Sequence, residues 1–471
     1  MESFAVLPSN VDYTKVLPLA VESRSRRRTF FPTNGQTFSS DGNNIIRIDL
    51  SAQAFLDPKH SYLRFTLDNT TGQNMGVDFG GGHAFIERLR IEQAGNVLCD
   101  TNNYNKLMSA IILPAQGGLE SSATRSITEG VRFLNQGNNG VMAEPTLAAD
   151  LSGATLISPF NCDGQINNGQ EFNFCIPLMN GLIGTTQDKL VPLQLLGSSP
   201  ITIEIQLSPV NDVGIFAAAP GGYTIQNVRY IAQLVEVGPE VDANLRMVQE
   251  LSGGRLVMNG VDYTHFSGNI GANAAGNVSI NVPARRKSLK SLFFVGASKA
   301  YAGAAAHHLV HNLSFGGNFN MTDYQLKIGS VVYPPTPVDC QFGANPERSR
   351  AEAASELAKC FGVLGSTNGL GILSTINYAT SDCLVGSMRI NAGAVDGAAN
   401  ESQRFAPFGL DLEAFQRTAI ESGVNTADQS LPITLTLNIG AAINQAISID
   451  AYVAYDALYF IDEVGNIRVS M

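Results

Sequence analysis

The densest run of like charge in this 471-residue chain is Arg24-Ser25-Arg26-Arg27-Arg28, close to the N-terminus. Guanidinium groups grip carboxylates and phosphates through paired N–H donors, so Arg24, Arg26, Arg27 and Arg28 are candidate contacts for an anion or an acidic partner. The bland alternative is a solvated tail. The cluster stands out because the chain carries a formal net charge of −11, which argues against a surface that coats nucleic acid generally. His307, His308 and His311 form the histidine cluster. Positions 307 and 311 would share a helical face, a spacing zinc sites use, but no glutamate completes an H-E-x-x-H pattern. The flanks Tyr301-Ala302-Gly303-Ala304 and Leu309-Val310 read as a loop entering a strand, so a polar loop is the better reading.

Other catalytic patterns fail in the same way. A metal enzyme built on a β-barrel needs two histidines and a carboxylate converging inside it, and His60, His83 and His265 stand alone in the sequence. Gly365-Ser366-Thr367-Asn368-Gly369 comes near a nucleophile elbow but has threonine at its centre. No phosphate-binding glycine loop is present, and Asp411 and Glu413 lack a neighbour of opposite role. The expectation is therefore no catalytic residue, no metal, no cofactor and no enzyme activity. Six cysteines without a C-x-x-C pair, in a chain whose first residues lack the order of a signal peptide, read as reduced thiols.

The elements that carry these residues are strands. Pro200-Ile201-Thr202-Ile203-Glu204-Ile205-Gln206-Leu207 alternates apolar and polar residues, the pattern of a half-buried strand. It returns as Pro432-Ile433-Thr434-Leu435-Thr436-Leu437-Asn438-Ile439. Its neighbours return in the same order and at nearly constant spacing. Ile46-Arg47-Ile48-Asp49-Leu50 is echoed by Val278-Ser279-Ile280-Asn281-Val282, and Leu89-Arg90-Ile91 by Leu326-Lys327-Ile328. Phe174-Cys175-Ile176-Pro177-Leu178 has a looser counterpart in Phe405-Ala406-Pro407-Phe408, and Glu236-Val237-Gly238 in Glu463-Val464-Gly465. These echoes predict two copies of one β domain, with Ile203 and Leu435 in equivalent strands. With 44% hydrophobic and 15% charged residues, the chain is long and apolar enough to give each copy its own core. No apolar run approaches the length of a membrane span.

The predicted boundaries are an N-terminal basic arm over 1–29, a first domain over 30–241, a linker over 242–256 and a second domain over 257–471. In the first copy, strands are expected near 44–50, 61–67, 84–92, 97–99, 171–178, 189–196, 200–207 and 223–237. In the second they fall near 278–282, 289–296, 309–315, 324–333, 384–392, 404–412, 432–439 and 447–461. Short helices punctuate them. Tyr104, Leu107, Met108 and Ile111 line one helical face, and Asp242 is placed to cap a turn through Leu245 and Val248 that Gly253-Gly254 stops. Asn345-Pro346 opens another, with Ser349 and Glu352 at capping-box spacing and Ala354, Leu357, Ala358 and Phe361 on one face.

Residues 30–67 carry a resemblance. The run Phe31-Pro32-Thr33-Asn34-Gly35-Gln36-Thr37-Phe38, then Asn44-Ile45-Ile46-Arg47-Ile48, Phe55-Leu56-Asp57-Pro58 and Ser61-Tyr62-Leu63-Arg64-Phe65 resembles the first barrel of viral double jelly-roll major capsid proteins. The look is nearest to those of polinton-like viruses and virophages. The resemblance implies an all-β chain of two tandem eight-stranded jelly rolls with short helices in loop insertions. It implies a homotrimer, a pseudo-hexagonal capsomer that meets neighbouring capsomers in an icosahedral shell. The expected partners are copies of itself, a penton protein, minor capsid proteins, and an inner membrane or the genome through the N-terminal arm. The expected location is the virion, assembled inside the host cell without a signal peptide. The alternative is a tandem β-sandwich of fibre or adhesin type that binds a receptor or carbohydrate; the absence of tryptophan and of a secretory signal counts against it.

Overall fold

Ile203 and Leu435 occupy the same place in two different barrels. In the computed structural model Ile203 sits opposite Ile48 on one neighbouring strand and Ile91 on the other. Leu435 sits opposite Ile280 and Leu326 in the same way. All six side chains are buried. The structure describes residues 23–116, 125, 127–130, 135–136, 142–143, 165–187, 189–197, 199–216, 218–298, 312–314, 316–317, 319–340, 350–365, 370–371, 373, 378, 406–414, 423–428, 432–440, 442–443 and 446–470.

The first barrel is made of β1 (Ser23–Phe30), β2 (Ile45–Leu50), β3 (Phe55–Asp68), β4 (Ile86–Gln93), β5 (Asn96–Asn102), β6 (Glu171–Ile176), β7 (Ile201–Leu207) and β8 (Thr224–Val237). Helix α1 (Pro239–Leu251) follows. The second barrel has β9 (Leu256–Ile270), β10 (Gly276–Asn281), β11 (Leu289–Ser298), β12 (Met321–Ile328), β13 (Val331–Asp339), β14 (Phe408–Asp411), β15 (Ile433–Ile439) and β16 (Ile447–Ile461). Helix α2 (Ala351–Cys360) lies between β13 and β14. The strand orders are β1-β8-β3-β6 and β2-β7-β4-β5 in the first barrel, β9-β16-β11-β14 and β10-β15-β12-β13 in the second. Adding eight to each strand of the first barrel gives the second. Each pair of sheets in this order is a jelly roll.

Period-two alternation builds each barrel, since it turns one side of every strand inward. In β7 Ile201, Ile203, Ile205 and Leu207 face the core, and Ile433, Leu435, Leu437 and Ile439 do so in β15. An aromatic pair is also repeated. Phe174 of β6 stands opposite Phe65 of β3 with ring centroids 5.1 Å apart. Phe408 of β14 stands opposite Phe294 of β11 at 5.2 Å.

Several expectations change in detail. Residues 23–29 do not stand apart as an arm: β1 pairs with β8 along its whole length, which joins Ser23–Phe30 to the sheet of the first barrel. Residues 1–22 lie outside the described residues. The 242–256 stretch is largely helix, with Gly238 at its N-cap and Asp242 inside its first turn, accepting a hydrogen bond from Gln194 Nε2 at 3.2 Å. Gly253 and Gly254 do end it, at φ of 72° and 80°, a conformation that favours glycine. The echo of Leu89 in Leu326 is two residues out of step. Leu326 corresponds to Ile91, because sliding a strand by two keeps the same face inward. Pro177 follows its strand while Pro407 precedes its own, and Glu463-Val464-Gly465 lies in the turn after β16 rather than in a strand end. The 324–333 stretch is two strands joined by a turn at Gly329-Ser330, and residues 312–314 form a turn rather than a strand. Only Val191–Pro192 is strand within 189–196. The 384–392 stretch, Ser349 and the Asn345-Pro346 helix start lie outside the described residues.

The helical segment after β5 runs through Tyr104–Lys106, a π-helical Leu107–Ile112 and Leu113–Gln116, buried along nearly all its length. Helix α2 packs Leu357 and Cys360 against Gly409 of β14, where an added Cβ would meet their side chains at 3.1 and 2.9 Å. Gly409 lies opposite Phe293, which stacks on Phe361 at 5.0 Å, so α2 packs on the outer face of this sheet at its β14 side.

The two barrels meet through polar groups. Asp450 of β16 takes Lys106 Nζ and His265 Nε2, the latter at 2.8 Å. Asp262 of β9 accepts from the Gly181 amide at 2.7 Å and pairs with the Tyr459 hydroxyl. Gln93 of β4 donates to the Gly465 carbonyl at 3.0 Å and accepts from the Ile467 amide at 2.6 Å. Directional bonds of this kind, removed from water, fix one relative placement of the barrels. They use the outer face of the β9-β16-β11-β14 sheet, whose central strand β16 is buried on both sides.

Candidate functional site

The arginines singled out from the sequence all lie in β1, at an edge of its sheet. Extended backbone sends successive side chains to opposite faces, so the pleat splits the run. Arg24, Arg26 and Arg28 share a face with Phe30, whereas Arg27 points to the outer face of the sheet. All four are exposed. Arg26 Nε meets Glu236 Oε1 at 2.8 Å. The Arg28 guanidinium lies 4.8 Å from the Phe30 ring centre, and that of Arg27 lies 5.9 Å from the ring of Tyr62. A charged edge strand also resists pairing with a stray strand, which is a structural use of the same residues.

Arg27 has company that its sequence neighbourhood does not show. On the outer face of this sheet Arg229 of β8 stands directly opposite Arg64 of β3, and Tyr62 opposite Ile231 fills the next row toward Arg27. Like charges directly opposite destabilise a sheet. Among the described residues neither Arg64 nor Arg229 has an ion-pair partner, and Arg229 Nε is buried with no hydrogen-bond acceptor. The other sheet of the same barrel is built differently. There Arg47, Glu204, Arg90 and Asp100 follow one another across four strands with alternating charge. Arg47 meets Glu204 at 2.7 Å, and that hydrogen bond, with the charge behind it, raises the arginine's pKa.

The histidines read as solitary have partners. His83 is fully buried and lies 3.3 Å from both Glu129 Oε2 and the Tyr104 hydroxyl. Burial lowers its pKa despite Glu129. His265 belongs to the Asp450 group between the barrels. Both are enclosed by the fold and tie it together. The sequence signal for them is faint, because their partners lie far along the chain. His307, His308 and His311 lie outside the described residues. Among the described cysteines, Cys99, Cys175, Cys340 and Cys360 are free thiols.

No protein-family model and no curated protein matches the sequence. Solved structures do match the fold. The chain is similar to the Sputnik virophage structure at a TM-score of 0.56 and 10% identity, covering 100% of this chain and 93% of that one. The Faustovirus major capsid protein gives 0.54 at 10% identity, covering 97% and 92%. The PBCV-1 virus capsid gives 0.51 at 9% identity, covering 98% and 99%. The fold is the viral double jelly roll. Both jelly rolls and the link between them fall inside these matches, which is why nearly whole chains align at such low identity. Within the double jelly roll, the β1-β8-β3-β6 sheet carries Arg64 and Arg229 on the face turned away from its own core.

Proposed function

We propose that this chain is a major capsid protein. Three copies join into a capsomer whose six barrels form a pseudo-hexagonal ring, and capsomers tile the shell of an icosahedral virus. The observation that carries this reading is the repeat of the principal strand order in two barrels, within a chain similar over nearly its full length to capsid proteins. Two similar but unequal barrels in a threefold ring give a near-sixfold outline that packs on a flat facet. Each barrel acts as one domain, with α1 between them. The protein then works by burying surface between copies and performs no catalysis. Its place is the virion, beside penton and minor capsid proteins. Strand β1 lies toward the inside of the shell, where Arg24, Arg26 and Arg28 meet carboxylates of a neighbour or the phosphates of genome or lipid.

Sedimentation equilibrium of the purified chain tests the assembly unit. The expected species has three times the 50.1 kDa mass of one chain. Obligate interfaces bury more than roughly 2,000 Å², so it should persist at micromolar concentration. A monomer at every salt concentration would contradict the proposal.

A further inference from the structure

We propose that the outer face of the β1-β8-β3-β6 sheet, with Arg64 and Arg229 at its centre and Arg27 beside them, docks the second barrel of another copy through that barrel's Asp323 and Asp339. This rests on the ring reading above and names the surface that closes the ring.

Two independent observations lead to it. The first is the repeat. The β9-β16-β11-β14 sheet has its outer face covered by the first barrel of the same chain, through Thr101 Oγ1 on the Tyr263 carbonyl at 3.1 Å and through Lys106 and Asn103 near Asp450 and Tyr452. Among the described residues, no contact of this kind lies on the equivalent sheet of the first barrel. The strand that reaches across in the covered case is β5 and the segment after it; its equivalent in the second barrel is β13. A head-to-tail ring would therefore bring β13 of one copy against the β1-β8-β3-β6 sheet of the next.

The second is charge. Arg229 faces Arg64 across the first barrel's sheet, and Asp323 of β12 faces Asp339 of β13 on the outer side of the second barrel's sheet. The arginine pair is unfavourable within its own sheet, and Asp323, which accepts from Asn438 Nδ2 at 3.0 Å, offers with Asp339 a complementary negative charge when the two faces are brought together. The arginines also have the geometry for it, since a guanidinium offers two parallel donors to a carboxylate. A chain with 30 basic and 41 acidic side chains otherwise repels its copies, so a local basic face specifies where they meet.

The test uses the full chain and four variants: R64E/R229E, D323K/D339K, these four charge reversals together, and R64Q/R229Q. Oligomer dissociation is measured by sedimentation velocity, with thermal unfolding as the check on folding. Each double variant should weaken association by at least about tenfold, as losing a close interfacial charge pair does, while the fourfold variant recovers it. R64Q/R229Q should weaken association while leaving the Tm of the dissociated chain unchanged or raised, the opposite of what loss of a structural contact would do. Wild-type oligomers with unchanged R64E/R229E oligomers would overturn the site and leave the capsid reading standing. So would a fourfold variant no better than the doubles. A wild-type chain that never associates would overturn both.

Discussion

Arg229 and Arg64 each sit where a sheet would ordinarily place an opposite charge. Arg229→Gln should therefore stabilise the single chain slightly, by about 0.2–1 kcal/mol, as removal of a like-charged cross-strand pair does; chemical denaturation of the dissociated protein measures it. Lys106 presents the opposite case. It is buried against Asp450, so Lys106→Met leaves a carboxylate without its charge partner inside the protein. Breaking such a pair costs about 3–5 kcal/mol, and a denaturation curve shifted by less than about 1 kcal/mol would show the pair to be solvated. Neither site was legible in the sequence. A composition scan finds arginines that are adjacent along the chain, as in 24–28, but Arg27, Arg64 and Arg229 come from three strands. Only register brings them to one face. His83 and His265 escaped as partners for the same reason.

Strands were legible wherever alternation ran for six or more residues, because one periodic pattern decides both the element and its buried face. Ile203→Ala and Leu435→Ala, at equivalent centres of the two barrels, should each cost about 2–5 kcal/mol. Calorimetry should show similar losses for both; a large loss for one alone would break the equivalence. The arm boundary was not legible. An edge strand covered in arginine has the composition of a tail, and the ladder to β8 that makes it a strand joins residues some two hundred positions apart. This changes the truncation experiment. Deleting 2–22 should leave the melting of the barrel unchanged, whereas deleting 2–29 removes β1 and exposes the β8 edge, lowering Tm. Equal melting for both truncations would show that β1 adds nothing to the barrel.

At the scale of the molecule, the contact between barrels is acid-sensitive. Burial alone would raise the Asp450 carboxyl, but the charge of Lys106 and the hydrogen bond of His265 overcome it and hold its pKa below the usual range. Glu129 behaves alike: burial pushes it up, and His83 and Arg125 bring it down to about 2. A carboxylate depressed in the folded state adds stability above its unfolded pKa and loses it as pH falls toward the folded value. Asp262, raised by burial, acts in the opposite sense. The sum predicts a Tm that falls as pH drops from about 5 toward 2, with Asp450→Asn lowering Tm at neutral pH and flattening that acid limb. The tandem repeat itself was visible in the sequence, since each copy needs its own alternating strands, but how the barrels face each other was not, because single polar contacts from distant loops decide it. The central claim is that two such barrels per chain build a pseudo-hexagonal capsomer, and negative-stain electron microscopy of the purified chain tests it most directly. The account predicts particles with a hexagonal outline and threefold averages showing six lobes. Two-lobed single chains under all conditions, or rings of another symmetry, would contradict it.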